Sequence, residues 1–257
     1  MRKDTVRVWT NVVAFLATVA ANGLANALPL NGLSTGEISD RFQVYFVPAG
    51  YVFSIWGLIY VALAGFAVFQ ALPAQRENPR LRRTGYLFVG SCVANIAWLF
   101  LWHYEQFPLT LLAMLSLLVC LILIYLRLGI GKAGVSSAEK WLVQIPFSVY
   151  LGWITVATIA NVTSLLDYLK WGGWGISDEA WAIIMLVVGG IVASAVNLTR
   201  RDIAYVLVII WAFVGIAVKH SATPVVSTAA WVVTVLVALV LVAGIVWRRR
   251  QRPEPAT

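Results

Sequence analysis

Charge is what this chain has least of. Lys, Arg, Asp and Glu make up 12% of its 257 residues, about half the share found in water-soluble domains. No charged residue falls near the middle of any long apolar run. Proton- and ion-coupled paths through a bilayer need such groups, so their absence argues against an ion pump. A retinal protein is excluded with them, because its Schiff base needs a mid-membrane lysine. Only two cysteines occur, Cys92 and Cys120, both inside apolar runs. Without a CxxC pair or a Cys/His cluster they read as small core residues, and no metal site is expected. A Gly-rich phosphate loop is missing, which removes an ATPase. No nucleophile stands with an acid–base pair, so catalysis has no visible basis.

Apolar residues are what the chain has instead, at 61% of the sequence with a mean hydropathy of +0.84. A bilayer span takes about 20 such residues. Eight stretches qualify, near 7–29, 48–72, 83–103, 108–127, 141–164, 180–198, 202–219 and 226–247. The expected fold is an all-α polytopic membrane protein of eight transmembrane helices. The first stretch is too long, and too polar at Asn22 and Asn26, for a signal peptide. With the N-terminus in the cytoplasm, 16 of the 19 Lys and Arg residues fall in cytoplasmic segments, leaving Arg41, Lys170 and Lys219 opposite. Asp and Glu divide almost evenly, as expected when Lys and Arg set orientation. Both termini are therefore expected to be cytoplasmic. The net charge of +8 reads as a topological signal: the partner is a lipid bilayer, with no nucleic acid.

Two connections are long. Residues 30–47 carry Phe42, Tyr45 and Phe46 among turn formers, and read equally as a lid over the bundle or as an interfacial aromatic belt. Residues 165–179 hold Trp171 and Trp174 among glycines. Beyond them the runs are plainer, rich in Val, Ile and Ala. The chain thus divides into a five-helix part, 1–165, and a three-helix extension, 166–257, with a basic tail. Pro48, Pro108 and Pro146 lie near helix starts, where a missing N–H costs little; Pro146 lies deepest and is a candidate kink. Gly189 and Gly190 permit close helix contact. His103 and Glu105 read as a solvated turn.

Aromatics and amides are the remaining feature. Residues 48–60 place Tyr51, Phe53, Trp56 and Tyr60 within three turns. A later helix carries Asn95, Trp98 and Trp102. On another, Tyr150, Trp153, Ala157 and Asn161 are spaced 3, 4 and 4, which sets them on one helical face. The amides Asn22, Asn26, Asn95, Gln144 and Asn161 either tie helices together or spot an apolar pocket with polar groups. Buried Trp and Asn each need a hydrogen-bond partner. A ligand with a flat π-system and polar edges satisfies both.

Three of these motifs resemble one family. Pro48-Ala49-Gly50-Tyr51-Val52-Phe53 with Trp56 and Tyr60, then Asn95-x-x-Trp98, then Tyr150-x-x-Trp153-x-x-x-Ala157-x-x-x-Asn161 are similar to signatures of the TspO/MBR family, the tryptophan-rich sensory or translocator proteins, over residues 7–165. Four departures stand out. The Phe53-to-Trp56 interval is one residue short, Val149 replaces a usual proline, Tyr51 stands where Trp is common, and three helices follow the five of the family core. The resemblance implies a five-helix bundle, often a homodimer, with no required cofactor. Its pocket, beneath the first outer loop, would take a tetrapyrrole such as protoporphyrin or haem. The ligand-binding residues it implies are Tyr51, Phe53, Trp56, Tyr60, Asn95, Trp98, Tyr150, Trp153, Ala157 and Asn161. A sensor or carrier in a bacterial cytoplasmic membrane is the leading expectation. A small permease or export component is the alternative, and light-dependent porphyrin breakdown, reported for some members, is the third.

Overall fold

The computed structural model describes residues 2–28 and 30–250. Eight α-helices of 17 residues or more account for most of them: α1 (Arg2–Ala27), α2 (Ile55–Ala71), α3 (Leu87–His103), α4 (Phe107–Leu128), α5 (Ile145–Tyr168), α6 (Asp178–Arg200), α7 (Ile203–Lys219) and α8 (Pro224–Arg250). No strand occurs among the described residues. Six apolar helical stretches are 18 residues or longer, the one containing α2 taking in the turn before it, while α3 and α7 are shorter apolar helices of 17 residues. At 1.5 Å per residue, 17 residues reach about 26 Å, near the thickness of a hydrocarbon core. This is a polytopic helical membrane protein.

Helix α5 is the central post. Its most apolar stretch is 72% buried, against 39% or less for the other long ones. One face looks toward α2, α3 and α4. On the other, Gly152 lets α7 approach so closely that a Cβ would lie 3.0 Å from the Tyr205 carbonyl oxygen. Gly189 and Gly190 do the same for α6, facing Phe213 of α7 and Val233 of α8, as the glycine pair predicts. One large hydrophobic core therefore reaches from α1 to α8, with a smaller cluster of Ile38, Trp102 and Phe107 under the lid.

Local chemistry sets the helix starts. The apolar run from residue 48 opens as a 3₁₀ turn, Gly50–Ser54. The Ala49 N–H donates to Gly215 O, and the Trp211 indole to Val52 O. Before α5, residues Lys140–Gln144 form a π-helical turn. Pro146 has no N–H to give the Leu142 carbonyl, and a wider turn just upstream of a proline is a recognised accommodation.

Ion pairs sit at the two ends of the bundle. Asp4 meets Arg82 at 2.7 Å and Arg80 meets Glu139 at 3.1 Å at one end. At the other, Lys219 meets Asp40 at 2.7 Å, and Arg41 pairs with Glu105. Each pair joins groups that the loop-by-loop charge reading puts on the same side. Near the first end the buried Arg7 donates to the carbonyls of Leu81 and Arg76, and Asn11 bonds Gln70 at 2.9 Å, pinning α1 to α2. The side chains of Asn26 and of the arginines at 248–250, and residues 251–257, lie outside the described residues.

Candidate functional site

Two adjoining cavities lie at the end of the bundle that residues 30–47 cover. The first is a narrow cavity of about 50 Å³ between α2, α3, α4 and α5. Phe53, Trp56, Trp98 and Trp153 form its walls, and Ala157 and Asn161 continue the α5 side. Thr35, Ser39 and Val47 of the long connection close it from above. The second, wider at about 350 Å³, lies between α1 and α2 and reaches Asn22, Gly23, Gly57 and Tyr60. Thr35, Phe53, Trp56 and Trp98 belong to both.

The aromatic rings brace one another. Trp56 stacks on Tyr60 at 5.6 Å and meets Tyr150 and Trp153 edge-on, each at 6.1 Å. Phe53 meets Trp153 edge-on at 5.7 Å, and Trp98 stacks on Trp102 at 5.5 Å. Offset and edge-to-face contacts of this kind contribute about 0.5–1.5 kcal/mol each beyond burial. Behind the wall Asn95 is a hub: its oxygen accepts from Asn22 at 2.8 Å and its nitrogen donates to the Tyr150 hydroxyl at 3.1 Å. Asn161 ties α5 to α4 by donating to Thr110 Oγ1 at 3.0 Å.

On the described walls of the first cavity two donors are left over. The indole N–H groups of Trp98 and Trp153 are buried and have no hydrogen-bond partner, although both residues line the first cavity. Trp102, one turn beyond Trp98, has instead spent its N–H on Thr35 O at 3.2 Å. An unmet buried donor costs about 1–3 kcal/mol.

The connection 30–47 is a lid, not an aromatic belt. Its short helix Thr35–Asp40 starts at a capping box in which Ser34 and Glu37 bond each other's backbone. Phe42 packs edge-on against Phe107 and beside Trp102, while Phe46 is fully buried against Phe213. The first half of the lid is tied to α3. His103 bonds Thr35 Oγ1 at 3.0 Å and Leu30 O at 3.1 Å, and its own carbonyl accepts from Asn31. Because Leu30 O can only accept, His103 Nδ1 carries a proton. The solvated turn expected at His103 is therefore corrected: the ring is 1% exposed, drawn inside by lid partners 68 to 73 residues away. The second half of the lid is tied to the last helices. Lys219 holds Asp40, His220 Nε2 donates to Val47 O at 3.3 Å, and the Tyr45 hydroxyl donates to Glu179 at 3.1 Å.

Of the ten residues singled out in the sequence, Phe53, Trp56, Trp98, Trp153, Ala157 and Asn161 line the first cavity and Tyr60 the second. Asn95 and Tyr150 buttress the wall from behind. Tyr51 is placed elsewhere, and this is a correction: it is 46% exposed and lies edge-on to Trp211 of α7, at 5.3 Å. The 3₁₀ turn, together with the pull of α7 on Val52, aims it away from the cavities. Thr35, Ser39 and Met114 were not foreseen. Nothing local marks a lid residue as cavity lining, and Met114 sits in an unbroken apolar run.

Fold and site together define a polytopic membrane protein with a lidded, aromatic-walled cavity near one end. The chain belongs to the TSPO-like protein family, whose model matches residues 8–243. The match runs past α5 and through most of α8, so the last three helices lie within it. No curated protein and no solved structure matches the chain.

Proposed function

We propose that the chain is a membrane receptor or carrier for a flat apolar ligand with acceptor groups at its edge, a tetrapyrrole of the protoporphyrin type. It would bind beneath the lid, across the two adjoining cavities that share Phe53, Trp56 and Trp98. The observation that carries this reading is the pair of unmet indole donors, Trp98 and Trp153, on the walls of one apolar cavity. Aromatic faces offer stacking to a macrocycle, and the two N–H groups offer hydrogen bonds to a carbonyl or carboxyl oxygen. Among the described residues no charged side chain lines the cavity, which suits a ligand recognised by shape and by neutral donors. Membership of the TSPO-like family agrees with this choice. The charge alternation, with ion pairs kept to one end or the other, supports eight spans with both termini cytoplasmic and the lid on the opposite side.

The test is tryptophan fluorescence of the detergent-solubilised protein titrated with protoporphyrin IX. Saturable quenching is expected, weakened by Trp153→Phe, which keeps a ring and removes the donor. Trp153→Ala should also cost roughly 3–5 kcal/mol as a core truncation. If Trp153→Phe binds as the unaltered chain does, the indole donors are not recognising the ligand.

A further inference from the structure

We infer that the seam between α3 and α4, at the end of the bundle opposite the lid, is a binding site for one anionic phospholipid. Its phosphate sits between Arg83 and Arg127, and an acyl chain lies along the seam. The site is separate from the lidded one, since none of the residues that form it lines either cavity.

The charge balance at this end is the first observation. Its carboxylates, among the described residues, are already engaged. Asp4 meets Arg82 at 2.7 Å and Arg7 at 3.7 Å, Glu77 meets Arg82 at 3.6 Å, and Glu139 meets Arg80 at 3.1 Å. Asp202 is buried, and accepts from the Tyr125 hydroxyl and the Tyr205 N–H. Among the described residues, no ion pair takes in Arg83 or Arg127. Both are exposed, yet they are fastened together across 44 positions of chain: Arg127 Nη1 donates to the Arg83 carbonyl at 3.1 Å. Two positive charges brought together repel, and an anion between them removes the repulsion. The planar guanidinium fork matches the oxygens of a phosphate.

What lies beneath the two arginines is the second observation. Arg127, Leu123, Cys120 and Ser116 succeed one another at intervals of 4, 3 and 4, and so form one edge of α4. Tyr86, Gly90, Val93 and Ala97 follow the same intervals from the start of α3. The two edges meet where a Cβ on Gly90 would lie 3.2 Å from the Cys120 sulfur. All eight residues are exposed or half-buried, although α3 and α4 pack on each other. Tyr86 and Val93, 55% and 60% exposed, flank the place where Gly90 has no side chain.

Depth joins the two observations. Arg127 stands in the last turn of α4, at the level of headgroups, while Leu123 and Cys120 lie about 6 and 10 Å deeper. A free anion would use only the guanidinium groups. A phospholipid uses both the charge and the apolar seam that continues from it, as anionic lipids do at basic sites between transmembrane helices.

The full chain in maltoside detergent is titrated with phosphatidylglycerol, and bound lipid is counted by native mass spectrometry. The unaltered chain is expected to retain one phosphatidylglycerol more tightly than it retains phosphatidylcholine. Arg83→Gln with Arg127→Gln should weaken retention by about tenfold or more, the loss of charge-assisted bonds to phosphate. Arg127→Gln alone should act in the same direction, and decides the matter if the double variant does not fold. Lys132→Gln with Lys140→Gln removes as much charge from the same end and should leave retention as it is. Undiminished retention in the arginine variants overturns the site. Equal loss in the lysine variant also overturns it, by making the effect one of overall charge. So does phosphatidylcholine retained as tightly, which would mean that headgroup charge is not read. Inorganic phosphate that displaces the lipid at equal concentration would reduce the site to an anion site without the seam, and overturns the assignment to a phospholipid.

Discussion

Two indole nitrogens, on Trp98 and Trp153, carry the chemical character of the cavity, and one imidazole governs how its roof is held. Burial pushes the His220 imidazole below the ordinary histidine value; the Lys219 charge adds to this, while the Val47 and Tyr45 carbonyls pull the other way. The folded state thus binds fewer protons at this site than the unfolded chain, whose value is about 6.5. Stability from this contact is fully present above about pH 6.5 and is lost as pH falls through the lower folded value. The charged groups nearby are Lys219 and its partner Asp40, and Glu179 through Tyr45. Proteolytic cutting of the lid in the folded protein should therefore quicken between pH 7.5 and 5.5. His220→Gln, which keeps a donor for Val47, should flatten that slope; an identical slope in the variant would exclude the imidazole as its source. Residues were legible in the sequence where a helix alone decides their direction. The stripe Tyr150, Trp153, Ala157 and Asn161 lies on one face because 3, 4 and 4 fit a helical period. Tyr51 and His103 were not legible, because partners far along the chain set their directions.

At the scale of elements, apolar runs located each long helix to within a few residues, but not how each begins. The 3₁₀ entry to α2 depends on α7, some 160 residues later, through Trp211 and Gly215. The sequence also divided the chain after residue 165, and the described cavity walls do all come from residues 19 to 164. The last three helices nevertheless supply half of the lid's attachments. A chain ending at Leu166 should thus insert and bind protoporphyrin IX with its wall residues intact, while protease cuts its lid faster than in the full chain, as limited proteolysis would record. Insertion without any binding would mean that α6–α8 are needed to form the cavity itself.

For the molecule as a whole, the scarcity of charge was the most informative reading, since it confined nearly every ionic group to the two ends of the bundle. The fold class follows from that scarcity and from the apolar runs. The joining of α1 through α8 into one core does not, because glycine contacts such as Gly152 with α7 leave no pattern that distinguishes them from ordinary packing. Reporter fusions after residue 165 and at the C-terminus should report opposite compartments. Finding them on the same side would break the eight-span alternation.

The latch on the second half of the lid also has a timetable. Asp40 waits for Lys219, 179 residues later, and Val47 for His220, 173 residues later. At synthesis rates of about 5–20 residues per second, the nascent lid lacks part of this latch for roughly 9 to 36 s. During that interval the roof is half-fastened, and a newborn lid should be cut by protease faster than a finished one.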